Sequence, residues 1–177
     1  MINSERELYL VTPALEHMNE AMAFRQEWVV QEPGERIHGS GGFHHYENYN
    51  EWLDKMEKAA KNPEPDWVTA TQYFGIIDDK IVGTIQIRHY LNEYLLKFGG
   101  HIGYGVRPSE RRKGYATKML SLALGECKRL GIERVLITCD KDNVGSARTI
   151  QKNGGVLENE LTDDSGEIHQ RYWIEIR

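Results

Sequence analysis

The chain has 177 residues, of which 40% are hydrophobic and 28% are charged, and its formal net charge is −5 at neutral pH. This length suits one domain with a single hydrophobic core, and no apolar run is long enough to span a bilayer. The negative charge argues against nucleic acid as the main partner, and the N-terminus lacks the basic and apolar segments of a signal peptide. We therefore expect a protein that is not embedded in a membrane.

The two cysteines, Cys127 and Cys139, belong to no CxxC or Cys/His cluster. We therefore expect reduced thiols in a cytoplasmic protein without disulfides. His44 and His45 are adjacent, but they stand at no metal-ligand spacing from any other His or Cys. The sequence therefore predicts no metal site.

Charge is unevenly distributed along the chain. Residues 1–66 hold 6 Lys and Arg against 13 Asp and Glu, a net charge of −7, whereas residues 67–177 hold 16 against 14, a net charge of +2. This asymmetry is either scatter over a solvated surface or a division of roles. In the second interpretation, an acidic half serves a cationic substrate and a mildly basic half serves an anionic cofactor.

The first third of the chain predicts a short strand and two helices. Residues 8–12 alternate as a strand does, and apolar residues recur at helical spacing from Leu15 to Val29. Residues 33–46 are rich in Gly and His and have no period, which indicates a loop that we expect to be mobile. A second amphipathic helix is predicted over 49–62.

The middle of the chain predicts a hairpin, a strand and a long helix. The alternating runs 67–78 and 81–91 form the hairpin, and 92–100 predicts a short helical turn. Residues 101–108 predict a further strand. A continuous apolar stripe at helical spacing then predicts a helix over 114–130.

The last part predicts a strand, a helix and a closing hairpin. Residues 134–139 are continuously apolar, as expected of a strand buried on both faces. Asn143 is a favourable N-cap for a helix over 143–155. Alternating runs at 155–161 and 168–176 predict the hairpin, whose exposed edges are compatible with a homodimer. The order of elements indicates a mixed α/β fold.

Three cations, Arg111, Arg112 and Lys113, precede Gly114 at the start of the predicted helix. Amide groups at a helix N-terminus lack intrahelical acceptors, and the helix dipole disfavours cations there unless an anion is present. We therefore predict an anion-binding turn, most naturally for phosphate. Neither a Walker-type phosphate loop nor a G-x-G-x-x-G fingerprint fits this turn.

The pattern R-x-x-G-x-A at residues 111–116, which follows V-R-P at 106–108, resembles the acetyl-coenzyme-A pyrophosphate loop of the GNAT superfamily of N-acetyltransferases. Residues 139–155 are similar to the Asn-bearing segment after the fifth strand of that family. The resemblance extends over nearly the whole chain and implies a single domain spanning 1–177. It implies a mixed, mostly antiparallel sheet flanked by helices, in which one parallel strand pair splays apart.

The resemblance implies a role for each matching position. The backbone of Tyr104, Gly105 and Val106 would bind the pantetheine arm of acetyl-coenzyme A, where their strand splays from its neighbour. Asn143 would reach that arm or the transfer centre, or would serve as a plain N-cap. Amides and side chains of the turn would surround the pyrophosphate, and the residues of the turn are Arg111, Arg112, Lys113, Gly114, Tyr115 and Ala116.

The activity that the resemblance implies is direct transfer of an acetyl group to a primary amine of a small molecule or peptide. The Val106 N–H would hold the oxyanion. Residues 1–66 would then form the acceptor side, and residues 67–177 would form the cofactor-binding core and the closing hairpin. His44 and His45, in the loop, are candidates for lining the acceptor pocket.

The sequence departs from the family pattern at the general acid. Many members carry a Tyr seven residues after the Asn, and Ile150 stands there in this chain. His101 is a candidate base, because imidazole suits proton transfer near neutral pH, and Tyr172 is a candidate acid. Two other interpretations stay open: a GNAT-like module that binds coenzyme A as a sensor or partner domain without turnover, and a nucleotide-phosphate binder unrelated to acetyl transfer.

Overall fold

A computed structural model describes residues 7–177. These residues form seven β-strands and four α-helices, with short 3₁₀ and π turns between them. The strands are β1 (Tyr9–Val11), β2 (Ala70–Ile77), β3 (Lys80–Arg88), β4 (Ile102–Val106), β5 (Arg134–Asp140), β6 (Val156–Thr162) and β7 (Ile168–Glu175). The helices are α1 (Met18–Gln31), α2 (Tyr49–Lys61), α3 (Tyr115–Arg129) and α4 (Val144–Lys152).

The strands pair into two antiparallel sheets. The first sheet has the order β1-β2-β3-β4, and the second has the order β5-β7-β6. β2 and β3 form the predicted hairpin, whose two-residue turn places Asp78 and Asp79 at φ values of 48° and 62°. Two successive positive φ angles match the twist of paired strands, which explains why this short turn closes the hairpin. The predicted fold class is confirmed.

The two sheets meet where β4 lies beside β5. The His101 N–H donates to the Leu136 carbonyl at 2.7 Å, and the Leu136 N–H donates to His101 Nδ1 at 2.9 Å. Beyond this point no ladder joins β4 to β5 in residues 7–177. Further along β4, the Tyr104 hydroxyl lies 2.7 Å from the Ser146 hydroxyl, just past the end of β5, so both strands advance in the same direction. The predicted splayed parallel pair is therefore present.

Helices cover both faces of the four-stranded sheet. On one face, α3 contributes the fully buried Met119, Leu120 and Ala123 to a core shared with β5 and β7. On the other face, α1 and α2 enclose a core rich in aromatic rings, in which Trp52 stacks on Phe43 with ring centroids 4.3 Å apart. Burial of such large rings contributes strongly to stability. This second core holds α1, α2 and the loop between them against the sheet.

The loop between α1 and α2 is irregular, as predicted, but it is packed into the protein. Ile37 and Phe43 are buried, with 2% and 0% of their surface exposed. The Gly39 carbonyl accepts hydrogen bonds from Gln72 Nε2 at 2.7 Å and from Thr84 Oγ1 at 3.0 Å, two side chains of β2 and β3. The expectation of a mobile segment finds no support in these contacts, because apolar anchors and buried hydrogen bonds hold the loop.

The other predicted elements occur in the predicted order, with ends that differ by a few residues. β2 begins at Ala70, three residues after the start of the predicted run. The predicted turn over 92–100 contains a five-residue π-helix, Leu95–Gly99. α4 ends at Lys152, because Gly154 takes a left-handed φ of 87°. No helix among the described residues has the length and apolar character needed to cross a membrane.

Candidate functional site

A cleft of about 2020 Å³ opens beside the N-terminal helices at the gap between the two sheets. One wall is α2 with the loop that precedes it, and the other is the gap between β4 and β5 with the N-terminal ends of α3 and α4. The cleft brings together most of the predicted site residues, which are His44, His45, Tyr104, Gly105, Val106, Arg111, Arg112, Gly114, Tyr115, Ala116 and Asn143. Three predicted residues, His101, Lys113 and Tyr172, are not among its lining.

The turn before α3 has the geometry of an anion-binding nest. Its backbone alternates in sign, with φ of −71° at Arg111, 62° at Arg112 and 82° at Gly114. The first amides of α3 have no intrahelical acceptor, as at any helix N-terminus. Gly114, the N-cap, has no side chain that could accept from them instead. A Cβ at Gly114 would meet no atom within 4 Å, so the turn is open on this side. These donors and the helix dipole together suit a phosphate.

The three cations of the turn have different partners. Arg111 forms a bidentate ion pair with Glu32, whose pKa it lowers, and its guanidinium lies 5.1 Å from the Trp28 ring centroid. Lys113 does not line the cleft, and it donates at 2.8 Å to Glu110, which does. Arg112 lines the cleft and has no ion pair within residues 7–177. Arg112 is therefore the member of this group that is free to meet an anion in the cleft.

β4 presents unpaired peptide groups to the gap. An antiparallel ladder bonds alternate residues to the neighbouring strand. Because the Arg107 N–H donates to the Val82 carbonyl, the odd-numbered residues of β4 face β3, and the peptide groups of Tyr104 and Val106 face away from it. The Val106 carbonyl accepts from Arg111 Nε at 3.3 Å. The N–H groups of Tyr104 and Val106 remain directed toward the gap.

Two glycines let the loop between α1 and α2 cross β4 at close range. A Cβ on Gly105 would lie 2.8 Å from the His38 carbonyl and 2.9 Å from Trp28 Cη2, and a Cβ on Gly39 would lie 2.2 Å from the Gly103 carbonyl. Any side chain at these positions would therefore push the loop away from the strand. The crossing brings His38 to the mouth of the gap, where it lines the cleft.

The far side of the gap is formed by the start of α4. Asn143 Oδ1 accepts from the Ser146 N–H at 3.0 Å, so Asn143 is an N-cap that also lines the cleft. The Ser146 hydroxyl in turn contacts the Tyr104 hydroxyl, and burial raises the pKa of Tyr104 to about 12. Burial likewise raises the pKa of Cys139 to about 11, which leaves its thiol protonated and unsuited to nucleophilic attack.

The structure gives His101 a structural position. The side chain is buried, with 6% of its surface exposed, and Nδ1 accepts the Leu136 N–H. Burial and the nearby Arg88 charge lower the pKa of His101 to about 4, so the ring is neutral at pH 7. His101 does not line the cleft, which argues against the predicted role as a base. Its two hydrogen bonds with Leu136 instead join the two sheets.

The remaining predicted side chains divide between core and cleft. Tyr172 is buried in the second sheet, and its hydroxyl donates to Gln170 Oε1 at 2.9 Å. Ile150 is fully buried, so the usual position of the family's acid contributes only to packing. His44 and His45 line the cleft with ring centroids 4.0 Å apart, as a pocket role requires.

Sequence reasoning missed three polar features of the cleft. His38 and Arg88 line it, and His169 connects Asp140 and Asp163 through contacts of 3.1 Å and 2.8 Å. None of these residues stands in a local motif, because each reaches the cleft through contacts between distant parts of the chain. Among the described residues, no group of three or more His, Cys, Asp or Glu side chains is arranged to hold a metal ion.

Comparison with known proteins assigns the family. A sequence model of the acetyltransferase (GNAT) domain matches residues 7–156, most of the chain. The Bacillus subtilis protein YjdG, named as an uncharacterized N-acetyltransferase, is 32% identical over 77 residues, and the match spans 41% of this chain and 40% of YjdG. The chain belongs to the GNAT acetyltransferase family.

Solved acetyltransferase structures share the fold. One from Salmonella typhimurium, described as modifying the N-terminal serine of ribosomal protein L7/L12, has a TM-score of 0.69 at 17% identity over 96% of this chain and 95% of its own. The microcin C7 self-immunity acetyltransferase MccE, solved with acetyl-CoA and AMP, has a TM-score of 0.69 at 19% identity over 96% and 93% of the two chains. At these identities the likeness shows the fold alone.

The position of His101 predicts a pH dependence of stability. Its pKa is lowered from 6.5 to about 4 on folding, so the unfolded chain binds the proton more tightly, and stability falls as the pH falls from about 6.5 toward 4. We expect this group to remove about 2 kcal/mol between pH 7 and pH 5. In His101→Asn, which keeps an acceptor for Leu136 but does not titrate, urea unfolding should show a correspondingly shallower pH dependence. An unchanged dependence would contradict the assignment.

Proposed function

We propose that this chain transfers the acetyl group of acetyl-CoA directly to an amine of a small molecule or peptide. One observation carries the proposal: the uncapped N-terminus of α3 opens into the same cleft as the gap between β4 and β5. The first feature suits a diphosphate, and the second suits an extended chain. Coenzyme A consists of both, and membership of the GNAT family supports the same assignment.

The described residues fit coenzyme A in the order of its parts. The amides from Arg111 to Ala116 are placed to bind the diphosphate, with Arg112 supplying countercharge. The outward-facing peptide groups of Tyr104 and Val106 are placed to pair with the pantetheine arm, which would lie along β4 as an added strand. When bound, acetyl-CoA supplies the acetyl group as an activated thioester.

The Val106 N–H is the donor that we assign to the oxyanion. It points into the gap, and the carbonyl of the same residue is held by Arg111 Nε. A donor that is fixed before the reaction stabilises developing negative charge without reorganisation. The Arg111–Glu32 ion pair thus supports this backbone orientation from outside the gap.

We assign the role of general base to His38 rather than to His101. His38 lines the cleft at the point where its loop crosses Gly105, so its ring is accessible beside the gap. Partial burial and the neighbouring Arg36 charge lower the pKa of His38, which keeps the imidazole neutral at pH 7 and able to accept a proton from an amine. Asp140, across the gap, opposes this shift and would favour the protonated ring once it forms.

The charge of the acceptor side supports an amine as the acceptor. Glu35, Glu51, Asp54 and Glu64 line the cleft on the side of α2 and its loop, where they outnumber the cations Arg36, Lys55 and Lys58. Carboxylates around the mouth of a cleft attract cations and raise their local concentration. The Salmonella typhimurium protein of the same fold is described as an acetyltransferase that modifies an N-terminal serine.

The activity is tested by thiol release from acetyl-CoA with a panel of primary amines, together with thermal unfolding in the presence of coenzyme A or ATP. We expect release with at least one amine and protection by coenzyme A. Protection without release for any amine would favour a coenzyme-A-binding sensor. Protection by ATP alone would favour a nucleotide-phosphate binder.

Arg112 and Lys113 offer a matched test of the anion site. Arg112→Gln removes the unpaired cation of the cleft, and we expect the Kd for coenzyme A to rise about 3–10-fold at low ionic strength, with a smaller effect in high salt. Lys113→Gln removes a neighbouring cation that faces Glu110, and we expect a change below about twofold. Titration calorimetry measures both, and equal effects would contradict the assignment of Arg112.

A pH profile tests His38. In the wild type, kcat/KM should rise with pH through a pKa below the ordinary histidine value of 6.5. His38→Gln should lower kcat/KM about 100-fold and remove that rise. His89→Gln is the control, because the pKa of His89 is also lowered by burial but its ring bonds Thr71, and His89 is not part of the cleft lining. A retained acidic limb in His38→Gln would refute the assignment.

A further inference from the structure

Arg107 and Arg171 have buried side chains, and a third arginine, the partly buried Arg88, differs from them in its partners. Arg107 donates to Glu20 and Glu27, each at 2.6 Å, and Arg171 donates to Glu158 at 2.5 Å. These two therefore carry their charge next to a carboxylate. Arg88 lines the cleft and forms no ion pair within residues 7–177.

The hydrogen bonds of Arg88 leave one edge of its guanidinium free. Nη1 donates to the carbonyls of Gly99 and Gly100, at 2.9 Å and 3.2 Å. Nε is buried without a hydrogen-bond partner, and Nη2 donates to no described residue. The Nε–Nη2 edge presents two parallel N–H groups, which is the geometry that binds both oxygens of a carboxylate.

The surroundings of Arg88 leave room for a ligand on this edge. Nη2 lies beside Gly103 of β4, 3.5 Å from the position that a Cβ would occupy, so the missing side chain keeps the space in front of it open. Both residues line the cleft on its acceptor side. Nε lies below the cleft surface, so a ligand reaches Nη2 first.

The electrostatics of this position also call for an anion. Burial lowers the pKa of the Arg88 guanidinium, but an arginine remains charged at neutral pH. Two carbonyl dipoles only partly offset the cost of holding that charge away from water. The nearby His101 ring is neutral at pH 7 and supplies no negative charge. A ligand carboxylate would complete the pairing that Arg107 and Arg171 obtain from their own glutamates.

We propose that Arg88 binds a carboxylate of the acceptor, so that the preferred acceptors are amino acids or other amines that carry a carboxylate. This inference rests on the proposed acetyltransferase function and narrows its acceptor class. The acidic residues at the cleft mouth then attract the ammonium group, and the partly buried guanidinium holds the acid group at the floor. The two charges orient the acceptor before the amine is deprotonated.

The experiment compares matched acceptors. Each free L-amino acid is assayed beside its α-carboxamide and its α-phosphonate analogue by thiol release from acetyl-CoA. In the wild type we expect the best amino acid to exceed its carboxamide in kcat/KM by at least about tenfold. In Arg88→Gln that ratio should fall to about one, mainly through the KM of the acid. Arg88→Lys, which keeps the charge but loses the planar edge, should give an intermediate ratio.

Controls separate this inference from other effects. Arg36→Gln, which removes another cation of the cleft lining, should leave the acid-to-amide ratio unchanged. Coenzyme A should protect every variant against thermal unfolding, because Arg88 lies on the acceptor side. A better phosphonate than carboxylate, equal use of acids and amides, or a ratio that survives in Arg88→Gln and Arg88→Lys would overturn the inference. Loss of coenzyme A protection in the wild type would instead refute the proposed function.

Discussion

The candidate site depends on one constraint, the joining of β4 and β5 at one end only. His101 and Leu136 exchange two hydrogen bonds there. β4 otherwise pairs with β3 and β5 pairs with β7, and no further ladder joins β4 to β5 in the described residues. Peptide groups that are left without a strand partner need other partners, because an unpaired buried amide is costly. An extended ligand meets that need, so the binding surface is a direct result of how the two sheets are connected.

Ion pairs between distant segments hold the anion-binding turn in place. Arg107, just before the turn, bonds both Glu20 and Glu27 of α1, and Glu27 also accepts the Ser109 N–H at 2.8 Å. Burial opposes ionisation of Glu27, but the hydrogen bonds from Arg107 and Ser109 outweigh it and lower its pKa. The cations in and beside the turn therefore serve largely to hold the turn in place through ion pairs. The nest itself relies on backbone amides, whose direction does not depend on side-chain rotamers.

The sequence predicted those features whose signals are local. The order of elements followed from hydrophobic period, and the R-x-x-G-x-A turn lies within six consecutive residues. Roles that depend on distant contacts were not predictable. Arg111 and Arg112 are adjacent and chemically equal, but Glu32, 79 residues away, pairs with one of them. His101 was a candidate base because it is an imidazole, but its position in the structure depends on a bond to Leu136, 35 residues away. The packing of the loop between α1 and α2 likewise depends on β2 and β3.

The crossing of that loop over Gly103 and Gly105 has an evolutionary consequence. The loop supplies the side chains nearest the acceptor, yet it rests directly on the backbone of the strand that we assign to the cofactor. Divergence of acceptor choice in this lineage is therefore coupled to the strand position Gly105, which has no side chain that could touch the acceptor. A loop of different shape, acquired by recombination, would lie this close only to a strand that keeps glycine at position 105, where a Cβ would lie 2.8 Å from the His38 carbonyl.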